Sequence, residues 1–264
     1  MKRYALITGA SAGIGKEFAY QLAKSGWNLL LIARREDTLK QIAEDLIKNF
    51  DIDAQYVVSD LAQLNQPEIL YNYCIENNLS IAMLVNNAGY GVPGDFEKNN
   101  WKIHSDSLQV MLNSVVQICH LFYPEMLKNK FGRIINVASL AGFAPPTAGH
   151  TLYGATKSFL IRFSHSLHLE GKDKGVHVTA LCPGFTYTEF HDVNGTRSMV
   201  SKLPKFMWMN AKDVVKQGII AVENNQPIKV NGKINRVIAA LSSALPDWLT
   251  RLMFAGKSDK YRKR

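Results

Sequence analysis

Thr8-Gly9-Ala10-Ser11-Ala12-Gly13-Ile14-Gly15 is the stretch that decides how this chain folds. It ends a largely apolar run, Arg3 to Thr8. It opens a segment in which Ile14, Phe18, Ala19, Leu22 and Ala23 fall on one face at helical spacing, with Gly26 as a stop signal. Glycines between a strand and a helix let the backbone approach a pyrophosphate closely, while the helix amino terminus offers free N–H groups and partial positive charge. A glycine-rich turn can also be no more than a tight turn, and its place after the first strand of a βαβ series is what makes it a candidate dinucleotide cradle. The candidate contacts here are Gly9, Ser11, Gly13, Ile14 and Gly15.

Outward from that turn, short β-type runs alternate with longer segments of helical period. The predicted strands are Arg3 to Thr8, Asn28 to Ala33, Ala54 to Ser59, Ile81 to Asn86, Gly132 to Ala138 and Val176 to Cys182. Nearly all-apolar strands separated by helices predict an α/β, doubly wound parallel sheet, the Rossmann fold, in a single domain. No internal repeat or low-complexity linker divides the 264 residues. The pattern loosens after Pro183. A long excursion, near residues 185–210 and ending in a helix from Ala211 to Glu223, reads as a cover for a site.

Composition excludes several classes. With 47% hydrophobic and 20% charged residues the chain is an ordinary globular one, neither disordered nor fibrous. Apolar runs such as Leu29 to Ala33 and Ile81 to Val85 are far too short to cross a bilayer. The amino-terminal run ends too soon for a secretory signal, so a cytoplasmic address is expected. Cys74, Cys119 and Cys182 lack disulfide or zinc spacing and read as reduced packing residues. Of the net charge of +9, +7 lies in residues 229–264, which hold nine basic and two acidic residues. The body is nearly neutral, so no nucleic-acid partner is expected.

Chemistry-bearing residues follow the strands. After the second, Ala33-Arg34-Arg35-Glu36-Asp37 places arginine where a dinucleotide fold meets the adenosine ribose; arginine pairs with the 2′-phosphate of NADP, whereas an acid would accept the 2′-OH of NAD. This predicts NADP(H), the plain alternative being a solvated charge cluster, and Glu36 and Asp37 suit the first turn of the next helix. Asn86-Asn87-Ala88-Gly89 after the fourth strand suits a cofactor-holding loop or an ordinary turn. Ser139 follows the fifth strand, and Tyr153-Gly154-Ala155-Thr156-Lys157 opens the next helix. Residues four apart share a face, so the Tyr153 phenol and the Lys157 ammonium can point into one site. A nearby positive charge favours phenolate, which predicts a phenol lowered toward a pKa useful in acid–base work, with Ser139 holding a carbonyl or hydroxyl oxygen.

Together these residues resemble the short-chain dehydrogenase/reductase family, from about Lys2 to Thr188. The family's Thr-Gly-x-x-x-Gly-x-Gly is matched by Thr8 to Gly15, its Asn-Asn-Ala-Gly by Asn86 to Gly89, and its catalytic serine, tyrosine and lysine by Ser139, Tyr153 and Lys157. Its helix asparagine is matched by Asn113 in Met-Leu-Asn-Ser-Val, and its adenine-ring acid by Asp60 in Ser-Asp-Leu, beside Leu61. Its Pro-Gly motif is matched by Pro183-Gly184, with Thr188 at the later threonine position. Val-Ala-Ser stands where the family often has a Ser-Ser pair, but the serine in question is kept.

The resemblance implies that Asn87, Ala88, Gly89, Pro183, Gly184, Thr186 and Thr188 join Tyr153 and Lys157 in holding the cofactor. It also implies that Thr186 and Thr188 meet the nicotinamide carboxamide, that Lys157 binds the nicotinamide ribose, and that Asn113 holds a water relaying protons from Lys157. It further implies a homodimer or homotetramer. The expected activity is hydride transfer between NADPH and a carbonyl, or the reverse from a secondary alcohol to NADP, with a small-molecule, hydrophobic substrate. The alternatives are a noncatalytic NADPH-binding regulatory or scaffold protein, which would not need Asn113, Ser139, Tyr153 and Lys157 together, and a sugar-nucleotide epimerase or dehydratase, whose carboxyl-terminal substrate region is usually longer.

Three other features carry open readings. His165 and His168 lack a third ligand and read as structural or surface residues, so no metal is expected. Phe206, Met207, Trp208 and Met209 form an apolar patch that suits a substrate pocket or core and interface packing equally. In the tail, residues 229–264, Ile234, Val237, Ile238, Leu241, Leu245, Trp248, Leu249 and Leu252 keep one helical face although Pro246 must interrupt it. With Arg236, Arg251 and the terminal Lys-Tyr-Arg-Lys-Arg this is a basic amphipathic element, suited to peripheral contact with an anionic membrane, to a subunit contact, or to a flap over the substrate site.

Overall fold

The computed structural model describes residues 2–92, 94–146, 148–149, 151–190 and 204–245. The apolar runs become β1 (Arg3–Thr8), β2 (Asn28–Ala33), β3 (Ala54–Val58), β4 (Ser80–Asn86), β5 (Gly132–Val137) and β6 (Val176–Cys182), with ends within a residue of those expected. Three short strands follow, β7 (Phe185–Tyr187), β8 (Trp208–Asn210) and β9 (Ile228–Val230). The main sheet has seven strands in the order β3-β2-β1-β4-β5-β6-β9, and every pair is parallel. The helices are α1 (Gly13–Lys24), α2 (Glu36–Asn49), α3 (Gln66–Glu76), α4 (Trp101–Leu108), α5 (Ser114–Lys128), α6 (Thr151–Gly171), α7 (Ala211–Glu223) and α8 (Lys233–Ala244).

Side chains of a strand alternate between faces, and both faces of this sheet are covered, which is why the strands read as unbroken apolar runs. Leu6, Leu30, Leu84, Ile134 and Val178 pack on one side against Leu70 of α3, Ile118 and Phe122 of α5, and Leu160 and Ile161 of α6. Ala5, Ile7, Leu29, Leu31, Val85, Ile135 and Leu181 pack on the other against Phe18 and Leu22 of α1, Leu39 and Leu46 of α2, and Val214 and Val222 of α7. Helix α1 stops as expected. Gly26 is left-handed (φ 80°), and the N–H groups of Gly26 and Trp27 return to the carbonyls of Ala23 and Leu22, the Schellman arrangement that closes a helix end.

From β1 the chain winds outward to β2 and β3, then crosses back to β4 on the other side of β1. The connections leaving β1 and β4 therefore diverge, opening a crevice at the carboxyl ends of these two strands, where open α/β sheets bind ligands. Between α4 and α5 lies a single π turn, Gln109–Asn113, a distortion that recurs at functional sites.

The structure revises two expectations at the carboxyl-terminal end. The excursion is not wholly irregular, because Phe185 to Tyr187 pair in parallel with Trp208 to Asn210, strands too short to announce themselves by period. Lys229 and Val230 belong to β9 and not to the tail, paired with β6 at the sheet edge. Ile234, Val237, Ile238 and Leu241 do lie on a helix, α8, and Leu245 caps it. Residues 191–203, and Pro246, Trp248, Leu249, Arg251, Leu252 and the terminal Lys-Tyr-Arg-Lys-Arg, lie outside the described residues.

A buried polar chain ties β4 and β5 to α6. The Asn86 side-chain amide donates to Asn136 Oδ1 (2.8 Å), the Asn136 amide to Ser164 Oγ (2.9 Å), and the Ser164 hydroxyl to the Leu160 carbonyl (2.6 Å). Asn136→Ala strands a buried donor on Asn86 and should cost about 1–3 kcal/mol. At roughly 2–4 °C per kcal/mol for a chain of this size, thermal denaturation should show a clear fall in Tm. A melting curve that overlays the parent's would refute a stabilising role for this network.

Candidate active site

The glycine turn is stitched to the end of β4 by backbone-directed bonds. Thr8 Oγ1 accepts the N–H groups of Asn87 (2.9 Å) and Ala88 (3.0 Å), and the Asn87 side-chain amide donates to the carbonyls of Thr8 (3.0 Å) and Gly9 (3.3 Å). Asn86 to Gly89 is thus a turn built against the glycine loop. The glycines leave no room for side chains: a Cβ on Gly15 would stand 2.2 Å from the Gly9 carbonyl oxygen and 2.6 Å from the Asn87 amide nitrogen. Gly13, at φ 53°, faces Thr188, whose Cβ would be 3.1 Å from a Cβ there. Helix α1 starts at Gly13 with no side-chain cap on its amino terminus and no acid in its first turn. Such a close-packed backbone cradle with uncapped N–H groups fits a pyrophosphate.

At the end of β2, Arg35 reaches back over this cradle. Its Nε and Nη2 donate to Ser11 Oγ (3.2 and 3.1 Å), and its Nη1 pairs with Glu189 Oε2 at 3.2 Å. Both ends of that ion pair are more than half exposed, so it holds the guanidinium loosely. Arg34 is exposed as well, and its charge is felt by the Tyr90 phenol together with those of Asp106 and Asp60. Burial is the main reason the Tyr90 pKa stands above its ordinary value. Asp60 Oδ1 accepts the Ala62 N–H (3.1 Å), and the buried Leu61 accepts the Ser114 hydroxyl at its carbonyl (2.8 Å), anchoring this end to α5.

Ser139, the candidate catalytic serine, follows β5, and its Oγ accepts the Ala141 N–H (3.1 Å). Tyr153, in the first turn of α6, is hydrogen-bonded to Ser139. One turn on, the buried Lys157 donates from Nζ to the Val137 carbonyl (2.7 Å) and stands 5.7 Å from the Tyr153 ring centroid. A Cβ on Gly89 would lie 3.7 Å from Lys157 Nζ and 3.3 Å from Met111 Cγ, so the Asn-Asn-Ala-Gly turn, the π turn and the lysine meet in one place. Asn113, in that π turn, donates to Gln109 Oε1 (2.9 Å).

The electrostatics correct one expectation. Burial pushes the Tyr153 phenol up to about 12, with the Ser139 hydrogen bond pulling the other way, and burial pushes Lys157 down to about 8. Loss of water disfavours both charged forms, and the lysine head is turned to a backbone carbonyl, so the ammonium does not offset the phenol's desolvation. Behind it, the buried Cys182 thiol is pushed up to about 12 by desolvation and remains neutral beside the lysine.

The segment after β6 spans both ends. The Pro183 carbonyl accepts the Leu140 N–H (2.9 Å), which fixes the Pro-Gly turn beside Ser139. Gly184 lies against α8, since a Cβ there would fall 2.4 Å from Asn235 Nδ2. Thr186, buried, donates to the Gly184 carbonyl (3.1 Å), and Thr188 Oγ1 accepts the Phe190 N–H (3.3 Å). The Phe190 ring sits 5.8 Å from that of Tyr153. Glu189, Phe190 and Asn235 escape sequence reading, having neither motif nor period; only their nearness to the Pro-Gly turn and the tail hinted at them. Trp208, from the apolar patch, stacks with Tyr187 at 4.7 Å and tilts against Phe185 at 5.6 Å, so part of that patch packs on the segment beyond the Pro-Gly turn. His168 is buried on α6, its ring 6.4 Å from that of His165.

The sequence model of a family described as short chain dehydrogenase matches residues 3–197. A very-long-chain 3-oxoacyl-CoA reductase of Bos taurus is 30% identical over 270 residues, covering 98% of this chain and 81% of that one. A short-chain dehydrogenase from Sphingobium yanoikuyae, solved in complex with NADPH, superposes with a TM-score of 0.81 at 26% identity, covering 93% of this chain and 96% of that one. A bulky-bulky ketone specific alcohol dehydrogenase from Comamonas testosteroni superposes with a TM-score of 0.76 at 26% identity, covering 93% and 95%.

The lysine shift has a consequence for stability. Between pH 8 and the ordinary lysine range, the unfolded chain binds a proton at Lys157 that the folded chain has released, so this group makes stability rise with pH across that window. Lys157→Met, which keeps the stem and removes the charge, should melt no lower than the parent at pH 7, and its advantage should shrink as pH is raised toward 10. A variant that is less stable at pH 7 and keeps the same offset at every pH would show that burial of this charge costs the fold nothing.

Proposed function

The chain belongs to the short-chain dehydrogenase family of nicotinamide-dependent oxidoreductases, and from that premise we propose that it uses NADP(H) to interconvert a hydrophobic carbonyl compound and the corresponding secondary alcohol. The carrying observation is the Tyr153 phenol, hydrogen-bonded to Ser139 and one helical turn from a buried Lys157 whose Nζ stands 3.7 Å from where a Cβ on Gly89 would lie, in the turn that is stitched to the glycine cradle.

NADPH, when bound, supplies the hydride. The chain supplies the rest. Ser139 Oγ donates to the substrate oxygen and holds it beside the phenol, which delivers its proton to that oxygen as the carbonyl carbon is reduced. A phenol pushed up to about 12 keeps its proton until then, and the Lys157 ammonium, still charged below about pH 8, is a reserve of protons one helical turn away. By family resemblance Asn113 holds a water through which Lys157 returns a proton to the site. In the alcohol-oxidising direction each transfer reverses.

Selectivity for the phosphorylated cofactor is supported by Arg34 and Arg35 at the end of β2 and by the bonds of Arg35 to Ser11, which aim a fork of donors at the rim of the cradle. A hydrophobic substrate is supported by the Phe190 ring beside the phenol, by the cluster of Phe185, Tyr187 and Trp208 on the same segment after the Pro-Gly turn, and by the bulky substrates named for the relatives.

NADPH oxidation should be followed with a panel of ketones, aldehydes and 3-oxoacyl thioesters. Turnover is expected with the larger apolar members, and a wholly inert panel would count against the reading. Tyr153→Phe should bind NADPH as the parent does yet turn over about 10²–10⁴-fold more slowly; parental activity in this variant would remove Tyr153 as the proton donor. Arg35→Ala should raise KM for NADPH roughly tenfold or more while leaving KM for NADH nearly unchanged. An equal change in both would withdraw the phosphate-binding role. Carbonyl reduction should fall as pH rises past about 8, where Lys157 loses its charge.

A further inference from the structure

Helix α8 presents to solvent the face that would ordinarily be buried. Asn235 and Ala239 point inward, while Ile234, Val237 and Leu241, at helical spacing, are 47%, 58% and 45% exposed. Phe206, from a different segment, is 67% exposed and shares with Ile234 a cavity of about 140 Å³, also lined by Met207, Met209, Gly232, Lys233 and Asn235. Single exposed apolar residues need no explanation, but four gathered from two elements form a surface that calls for a partner. Lys205, Lys233 and Arg236 are exposed around them, and α8 itself contains no acid. The sequence beyond α8 adds Arg251, Lys257, Lys260, Arg262, Lys263 and Arg264 against Asp247 and Asp259.

We propose that this face docks peripherally on an anionic lipid surface, with Phe206, Ile234, Val237 and Leu241 entering the headgroup boundary and Lys205, Lys233 and Arg236 meeting lipid phosphates. The charge decides among occupants. A contact that set α8 against its own copy would gather the basic groups of both helices with no acid on either to pair with them, whereas an anionic bilayer complements both the apolar stripe and its basic rim. Among the described residues no helix is long and apolar enough to cross a membrane, so the contact is one of lying on the surface. Asn235 of α8 abuts Gly184, so the docked face would bring the candidate site close to a source of apolar substrate.

The proposal is independent of the redox reading, and its test reads binding and not turnover. The full chain should co-sediment with phosphatidylcholine vesicles containing phosphatidylglycerol, bind poorly to phosphatidylcholine alone, and be released by about 0.5 M NaCl, where screening is short-ranged. Each basic residue near such a surface contributes roughly fivefold to partitioning, so Lys233→Glu with Arg236→Glu should lower it by about tenfold or more. Val237→Asp with Leu241→Asp should lower it comparably, with far-UV dichroism and NADPH binding unchanged. Two results would overturn the proposal: no sedimentation with the anionic vesicles, or sedimentation that neither double variant reduces. If Val237→Asp with Leu241→Asp instead lowers the molar mass by light scattering and leaves vesicle binding intact, the face belongs to a second copy and the proposal is equally lost.

Discussion

The reversal of strand order at β1 is the constraint from which the site follows. Because β2 lies on one side of β1 and β4 on the other, no connection bridges their carboxyl ends, and the space there must be closed by the chain's own polar groups or by a ligand. Thr8 and Asn87 close its floor, joining the two strand ends through side-chain bonds to backbone. Above that floor the glycines are packed so tightly that their backbone is the surface, and every other site element, from Ser139 to the Pro-Gly turn, is set around this fixed edge.

Burial then governs the chemistry. Lys157 is held among β5, β6 and the π turn, where water is scarce, so its charge is costly to the fold. Structure and reactivity draw on the same desolvation. The phenol and the amine are driven in opposite directions, one up and one down, because burial disfavours the charged form of each.

The parts of this molecule visible in the sequence are those with a period or a fixed spacing. The unbroken apolar runs gave away a sheet covered on both faces, and Tyr153 and Lys157 shared a face because a helix repeats every few residues. Strands β7, β8 and β9 are three residues each, too short to establish alternation, so they passed for loop and tail. Glu189, Phe190 and Asn235 reach the site by the path of irregular chain and by long-range packing, which no local pattern encodes. The lowered phenol was expected from charge proximity alone, and spacing on a helix cannot reveal how much water two groups lose together. Residue type at the end of β2 suggested where a phosphate would be met, but only the folded chain puts Arg35 against Ser11.

The contact between Gly184 and Asn235 joins the turn beside the reacting groups to a helix that starts some fifty positions later. Neither partner can drift alone. A larger residue at 184 has somewhere to go only if 235 shrinks, and a bulkier one at 235 would press on the turn itself. Homologues that vary at one of these two positions should therefore show a matching change at the other, and chimeras that exchange the last helix without its partner turn should carry a misfit at the heart of the molecule.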